Sequence, residues 1–279
     1  MSPAKNRSAC AAPTPPVDER LELPGGCVVD VRRYGGKVAG TVSPVVVHFH
    51  GGAFVSGDLD NGYTVGDLLQ GAGAVVVSVA YPLTPFPQPV ETGYAVVQWA
   101  YRQRNRLGGA GASLYVAGEE AGGNLAAAVC LMARDQAHPP LAGQILLSPM
   151  LDPCVGTHSL REATKDATAC KWAEGWRRFL AKPRDAEHPY AVPAQAQRLV
   201  GLPPTLVMVG SDDPMRDEAL AYADRLQAMG LAVQRHVFPK AEDWFEPMLQ
   251  AGPHECPCAG EAKVQLRQFF EATRCPVAP

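Results

Sequence analysis

Leu114-Tyr115-Val116-Ala117-Gly118-Glu119-Glu120-Ala121-Gly122-Gly123-Asn124 fixes the frame in which the rest of the chain is read. An apolar run, Leu114 to Ala117, meets a Gly-x-x-x-Gly turn, and the turn opens an alanine-rich segment with helical spacing, Ala121 to Arg134. Strand, tight glycine turn and helix are the setting of a nucleophile elbow, in which Gly-x-Ser-x-Gly lifts a serine oxygen above the end of a sheet. The central position here is Glu120. An ordinary serine attack does not start from this turn.

Outward from the turn, short apolar or β-branched runs alternate with amphipathic segments. Val45–His48, Val75–Val79, Leu114–Ala117, Ile145–Leu147, Thr205–Val209 and Val233–Phe238 read as strands. Thr92–Arg106, Ala121–Arg134, Asp217–Met229 and Glu261–Thr273 read as helices, with Gly230 where a helix C-cap belongs. This alternation predicts an α/β fold: a mainly parallel sheet covered on both faces, with antiparallel strands around Cys27 to Arg33. The segment from Cys154 to Val192 breaks the rhythm and carries Trp172, Trp176 and Phe179 at roughly helical spacing.

Four further motifs follow in order. They are His48-Phe49-His50-Gly51-Gly52-Ala53-Phe54-Val55-Ser56-Gly57, Tyr81-Pro82-Leu83-Thr84-Pro85, Gly210-Ser211-Asp212-Asp213-Pro214-Met215-Arg216-Asp217-Glu218 and Pro239-Lys240-Ala241-Glu242-Asp243-Trp244-Phe245. With the glycine turn, they make residues 20 to 250 resemble the hormone-sensitive-lipase and acetyl-esterase branch of the α/β-hydrolases. That branch usually reads Gly-Asp-Ser-Ala-Gly-Gly-Asn at the elbow and His-Gly-Phe at the last motif. The resemblance implies an α/β-hydrolase fold with a small cap over about 154–192. It implies triad-equivalent positions at Glu120, Asp213 and Asp243, with nucleophile and base both replaced. It also implies an oxyanion hole built around His50, Gly51 and Gly52 and completed by Ala121. Phe54, Trp172, Trp176 and Trp244 are candidates to line the pocket.

Composition narrows the function classes. The 279 residues are 47% hydrophobic with a net charge of -3, enough apolar material for one large core and no pull towards nucleic acid or an anionic membrane. No apolar run reaches the length of a membrane span. Residues 1–19 read as a flexible, Pro/Ala-rich leader without the apolar core of a secretory signal, leaving 20–279 as the hydrolase-like domain. Eight scattered cysteines outline no disulfide framework, so a cytoplasmic location with reduced thiols is expected. His254-Glu255-Cys256-Pro257-Cys258 is the densest group of ligand-type residues, but its spacing is not that of a zinc pair. No metal or cofactor is expected, and the cluster reads as a polar loop.

The residues present leave two function classes. A serine hydrolase needs a base to take the hydroxyl proton and an acid to return it. The loss of Ser and His together favours a non-hydrolytic pocket for a small apolar or acyl-type ligand, and the resembled family includes plant hormone receptors that lost triad members. A protein partner or a homo-oligomer stays compatible with that reading. The retained His50-Gly51-Gly52 loop favours the alternative: an active enzyme of the carboxylesterase type, either a residual ester hydrolase or a lyase, cyclase or isomerase that uses pocket carboxylates. Glu120 is also long enough to place its own carboxylate in the hole. If Glu120, Asp213 and Asp243 keep triad spacing, they crowd. Two like charges 4 Å apart cost roughly 4 kcal/mol at an effective dielectric of 20, so either one group holds a proton, or a cationic partner such as Arg216 or Lys240 sits among them, or the side chains turn apart and pair locally.

Overall fold

The computed structural model describes residues 15–163, 171–240, 244–254 and 256–274. Most of the expected leader, Cys10, Cys170, Asp243, Glu255 and Cys275 therefore lie outside the described residues.

Eight strands form one sheet: β1 (Val17–Glu22), β2 (Val28–Tyr34), β3 (Val45–Phe49), β4 (Val75–Val79), β5 (Leu114–Glu119), β6 (Gly143–Leu147), β7 (Thr205–Gly210) and β8 (Val233–Phe238). Their spatial order is β1-β2-β4-β3-β5-β6-β7-β8. The β1–β2 and β2–β4 pairs are antiparallel and every later pair is parallel. β3 to β7 are buried along their whole length, which is why they read as unbroken apolar runs rather than alternating ones. Polar residues interrupt those runs, and the register sets two of them, His48 and Ser78, side by side on β3 and β4.

The helices are α1 (Tyr63–Gly71), α2 (Gln88–Leu107), α3 (Ala121–Asp135), α4 (His158–Ala163), α5 (Lys171–Phe179), α6 (Arg216–Ala228), α7 (Phe245–Leu249) and α8 (Ala259–Thr273). α1, α4 and α7 were not legible in the sequence: each is short, and α1 carries two glycines. The four expected helices and six expected strands all form, with ends shifted by at most four residues. Gly230 follows α6 at φ +78°, the left-handed conformation of a helix stop. Among the described residues no helix is long and apolar enough to cross a membrane.

The turn from β5 into α3 depends on its glycines. Glu120 has φ +51°, an uncommon conformation for a side-chain-bearing residue. Its carbonyl accepts from Met150 N at 2.9 Å and its amide donates to Leu147 O at 3.1 Å, so β6 holds the turn. A Cβ on Gly122 would lie 1.9 Å from Phe49 O, and one on Gly118 would lie 2.1 Å from Gly122 O. Helix and strands meet here through bare backbone. Gly122→Ala is therefore expected to destabilise the fold by about 3 kcal/mol or more in urea denaturation. A loss under 1 kcal/mol would mean that the α3–β3 contact is not as close as described.

Candidate active site

The site lies where the carboxyl ends of β3, β5, β6 and β7 converge, the usual place for a ligand in an open parallel sheet. β5 delivers Glu120, β3 delivers the His50–Phe54 loop, β6 delivers Ser148 and β7 leads to Asp213.

The Glu120 carboxylate is fully buried and takes four hydrogen bonds or ion pairs. Oε2 accepts from Gly52 N at 2.6 Å and Ala53 N at 2.8 Å. Oε1 accepts from the Trp172 indole Nε1 at 2.6 Å and pairs with Lys171 Nζ at 3.0 Å. Two backbone N–H groups converge on one oxygen, the donor geometry of an oxyanion hole, and the elbow side chain occupies that position. The loop geometry explains the donors. Gly52 has φ +116°, and a Cβ there would lie 2.1 Å from Ser56 O. Ala53 and Phe54 follow with φ of +51° and +59°, so the chain curls and aims successive amides at one point.

This shifts the donor assignment by one residue. Gly51 N donates to Glu119 Oε1 at 2.9 Å rather than to the site. Glu119 Oε2 accepts from His48 Nε2 at 2.6 Å, and His48 Nδ1 pairs with the Ser78 hydroxyl at 3.0 Å. All three side chains are fully buried. The chain Ser78–His48–Glu119–Gly51 ties the start of the oxyanion loop to the sheet. His50 is also buried: its ring stacks on Tyr81 with centroids 4.4 Å apart, and Nδ1 donates to Gly51 O at 2.7 Å. Burial lowers its pKa, favouring the neutral ring.

α5 covers the loop from the other side. A Cβ on Gly175 would lie 1.8 Å from Ala53 O, so helix and loop backbones touch. Phe54 stacks on Phe179, with centroids 4.1 Å apart and rings 4° from parallel, and Trp176 packs against both. Of the four aromatic candidates, Trp172 reaches the site carboxylate. Phe54 and Trp176 belong to the aromatic cluster that holds α5 down. Trp244 is fully buried, stacked on Phe238, and donates its indole N–H to Ser148 Oγ at 3.0 Å. It packs the core beneath the site.

Asp213 is buried and well bonded. It accepts from the Ser148 hydroxyl, from Met215 N at 2.8 Å and from Gly210 N at 3.4 Å. Burial pushes its pKa up to about 6, against those hydrogen bonds, and the Glu120 charge adds a smaller push in the same direction. The raised pKa of Asp213 is thus mainly a burial effect, and Asp243 lies outside the described residues. Nor does Arg216 neutralise the site: it pairs with Asp217 at 2.8 Å and donates to Ser211 O. The cation is Lys171. Sequence reasoning missed Lys171, Ala53 and Glu119, and only Glu119 had a signal, an acidic residue at the end of an apolar strand. Among the described residues no group of three or more His, Cys, Asp or Glu side chains could hold a metal ion.

Comparison with known proteins sets this geometry in a family. Residues 46–245 match the model of a family with the alpha/beta hydrolase fold. The chain is 33% identical over 238 residues to esterase LipI of Mycobacterium tuberculosis, covering 82% of this chain and 70% of that protein. It is 33% identical over 256 residues to carboxylesterase NlhH of the same species, covering 88% and 79%. The crystal structure of esterase LipW from Mycobacterium marinum superposes with a TM-score of 0.77 at 32% identity, covering 92% of this chain and 82% of that one. These findings overturn the expectation of a non-hydrolytic binding protein: relatives matched over more than four-fifths of the chain are esterases, which favours the enzyme alternative.

Asp213 has a pH signature. Its folded pKa of about 6 lies above the ordinary 3.8, so the stability it contributes is full below about pH 4 and is lost as pH climbs through 6. Asp213→Asn should flatten that part of the pH–stability curve, read by urea denaturation from pH 4 to 7, although the variant is less stable throughout. An unchanged slope would show that Asp213 titrates normally.

Proposed function

Since the chain belongs to the alpha/beta hydrolase fold family, we propose that it hydrolyses small carboxylic esters, with Glu120 acting as a general base on water in place of a serine nucleophile. The observation that carries this reading is the pair of Gly52 and Ala53 amides converging on one oxygen. The Glu120 carboxylate there stands in for the carboxyl group of a substrate or product. When an ester binds, its carbonyl oxygen takes the place of Oε2 between the two amides. Glu120 turns about its own side-chain bonds to lie beside the acyl carbon. It takes a proton from a water molecule whose oxygen bonds to that carbon. The carbonyl electron pair moves onto the oxygen held in the hole, then returns to expel the alcohol. Water and ester are consumed, and acid and alcohol are released.

Physical chemistry supports each part. Backbone donors fixed before the reaction stabilise the oxyanion without reorganisation, and removing one such donor typically costs about 10²–10³ in kcat. A positioned base contributes roughly 10²–10⁴. The segment 154–192 serves as the substrate cap in this reading, with α5 its inner wall. The free thiols of Cys27, Cys130 and Cys154 support a reducing, cytoplasmic setting.

Hydrolysis of 4-nitrophenyl acetate by the wild type and by Glu120→Gln tests the assignment. The wild type should turn over above the buffer rate with no burst of nitrophenolate, because no acyl-enzyme forms. Glu120→Gln should lose about 10²-fold or more. Equal rates in the two proteins, or a stoichiometric burst with an acylated residue, would contradict the proposal.

A further inference from the structure

The four donors around Glu120 fall into two unlike pairs. Among the described residues, Oε2 meets backbone amides, Gly52 N and Ala53 N, and Oε1 meets side chains of α5, the Trp172 indole and the Lys171 ammonium. At Oε2 the backbone crowds in: Ala53 is fully buried, and a Cβ on Gly51 would meet Glu120 Oε2 at 3.2 Å and Leu249 at 2.8 Å. At Oε1 Lys171 reaches in from the surface, its side chain 46% exposed although its ammonium pairs with a fully buried carboxylate.

An ester group has the planar O–C–O shape of a carboxylate, with one difference: one of its oxygens carries a chain. Laid over the Glu120 carboxyl, it fits one way round. The bare carbonyl oxygen meets the two crowded backbone amides, and the substituted oxygen lies beside Lys171, whose stem leads to the surface. We infer that Lys171 is a catalytic residue of the proposed hydrolysis, the general acid that protonates the leaving alcohol oxygen, with the Trp172 N–H positioning that oxygen beside it. The inference rests on the hydrolase reading above.

The chemistry needs such a group. An alkoxide is too basic to leave unprotonated, and serine hydrolases use the triad histidine as the proton donor. Here the equivalent position holds Asp243. As the tetrahedral intermediate collapses, the bond from the acyl carbon to the leaving oxygen breaks, and that oxygen takes a proton from the Lys171 ammonium. The proton that Glu120 took from water returns to the Lys171 amine when the products leave and Glu120 swings back to its resting pair with Lys171. Both groups end as they began.

Dependence on the leaving group tests this. 4-Nitrophenolate leaves without help, phenolate needs some, and ethoxide needs a full proton. Wild type, Lys171→Met and Lys171→Arg are compared on 4-nitrophenyl, phenyl and ethyl acetate, with thermal melts to confirm folding. Lys171→Met should lose activity on every ester, because the cradle loses a donor, and lose about 10²-fold or more beyond that on ethyl acetate relative to 4-nitrophenyl acetate. Lys171→Arg keeps the charge and the donors but does not release a proton, so it should fail on ethyl acetate as Met does. The same fractional loss on all three esters, or full ethyl acetate activity in Lys171→Arg, would overturn the proton-donor role while leaving Glu120 as the base. A wild type that hydrolyses none of the three overturns the hydrolase reading and this inference together.

Discussion

The grip of the Gly52 and Ala53 amides on a single carboxylate oxygen is the interaction around which this molecule is organised. A carboxylate buried in a protein must be paired and hydrogen-bonded, or it costs several kcal/mol. Glu120 meets that demand with two amides, an indole and an ammonium. Hydrogen bonds to a charged partner contribute about 1.5–3 kcal/mol each. The closed state is therefore held by the same donors that a substrate would use, and a ligand must compete with a tethered carboxylate for them. That competition predicts weak binding of small esters and a preference for groups that reproduce both oxygens.

The loop that supplies these amides is fixed from two sides. Beneath it, Ser78, His48 and Glu119 form a buried chain that ends on Gly51 N. Above it, α5 lies so close that Gly175 has no room for a side chain against Ala53 O. Between them the backbone holds three consecutive residues, Gly52, Ala53 and Phe54, at positive φ. Such conformations persist only where the surroundings over-determine them, and they gather at functional sites. α5 thus has two tasks. Its buried face, with Phe179 and Trp176 around Phe54, presses on the loop, while its first two residues bind the Glu120 carboxylate.

Much of this was legible from the chain. Val45 to Phe49, Val75 to Val79 and Leu114 to Glu119 announce themselves because strands buried on both faces must be apolar throughout. The elbow is legible because only glycine fits at 118 and 122. Asp213 stands out only through the resemblance of its motif to the family's, and the structure places it, buried, after β7. What stayed hidden depends on tertiary contact. Lys171 lies 51 positions along the chain from Glu120, and no local pattern says that α5 folds back over the turn. The donor shift from Gly51 to Ala53 depends on Glu119 capturing the first amide, a choice between adjacent N–H groups that composition does not reveal. Trp244 read as a pocket residue by its neighbours in sequence, whereas its indole is spent on Ser148 in the core. The functional reading erred for a related reason: loss of Ser and His was weighed as loss of chemistry, although hole, carboxylate and ammonium remained.

The four donors form a cradle shaped for a carboxyl group, and Glu120 occupies it at rest. Glu120→Ala empties that cradle without touching the donors. Thermal melts of the variant and the wild type in rising acetate, against chloride at equal ionic strength, measure whether the vacancy is carboxylate-shaped. Acetate should raise the melting temperature of Glu120→Ala in a saturable way and leave the wild type unmoved. An equal response in both proteins, or none in the variant, would contradict it.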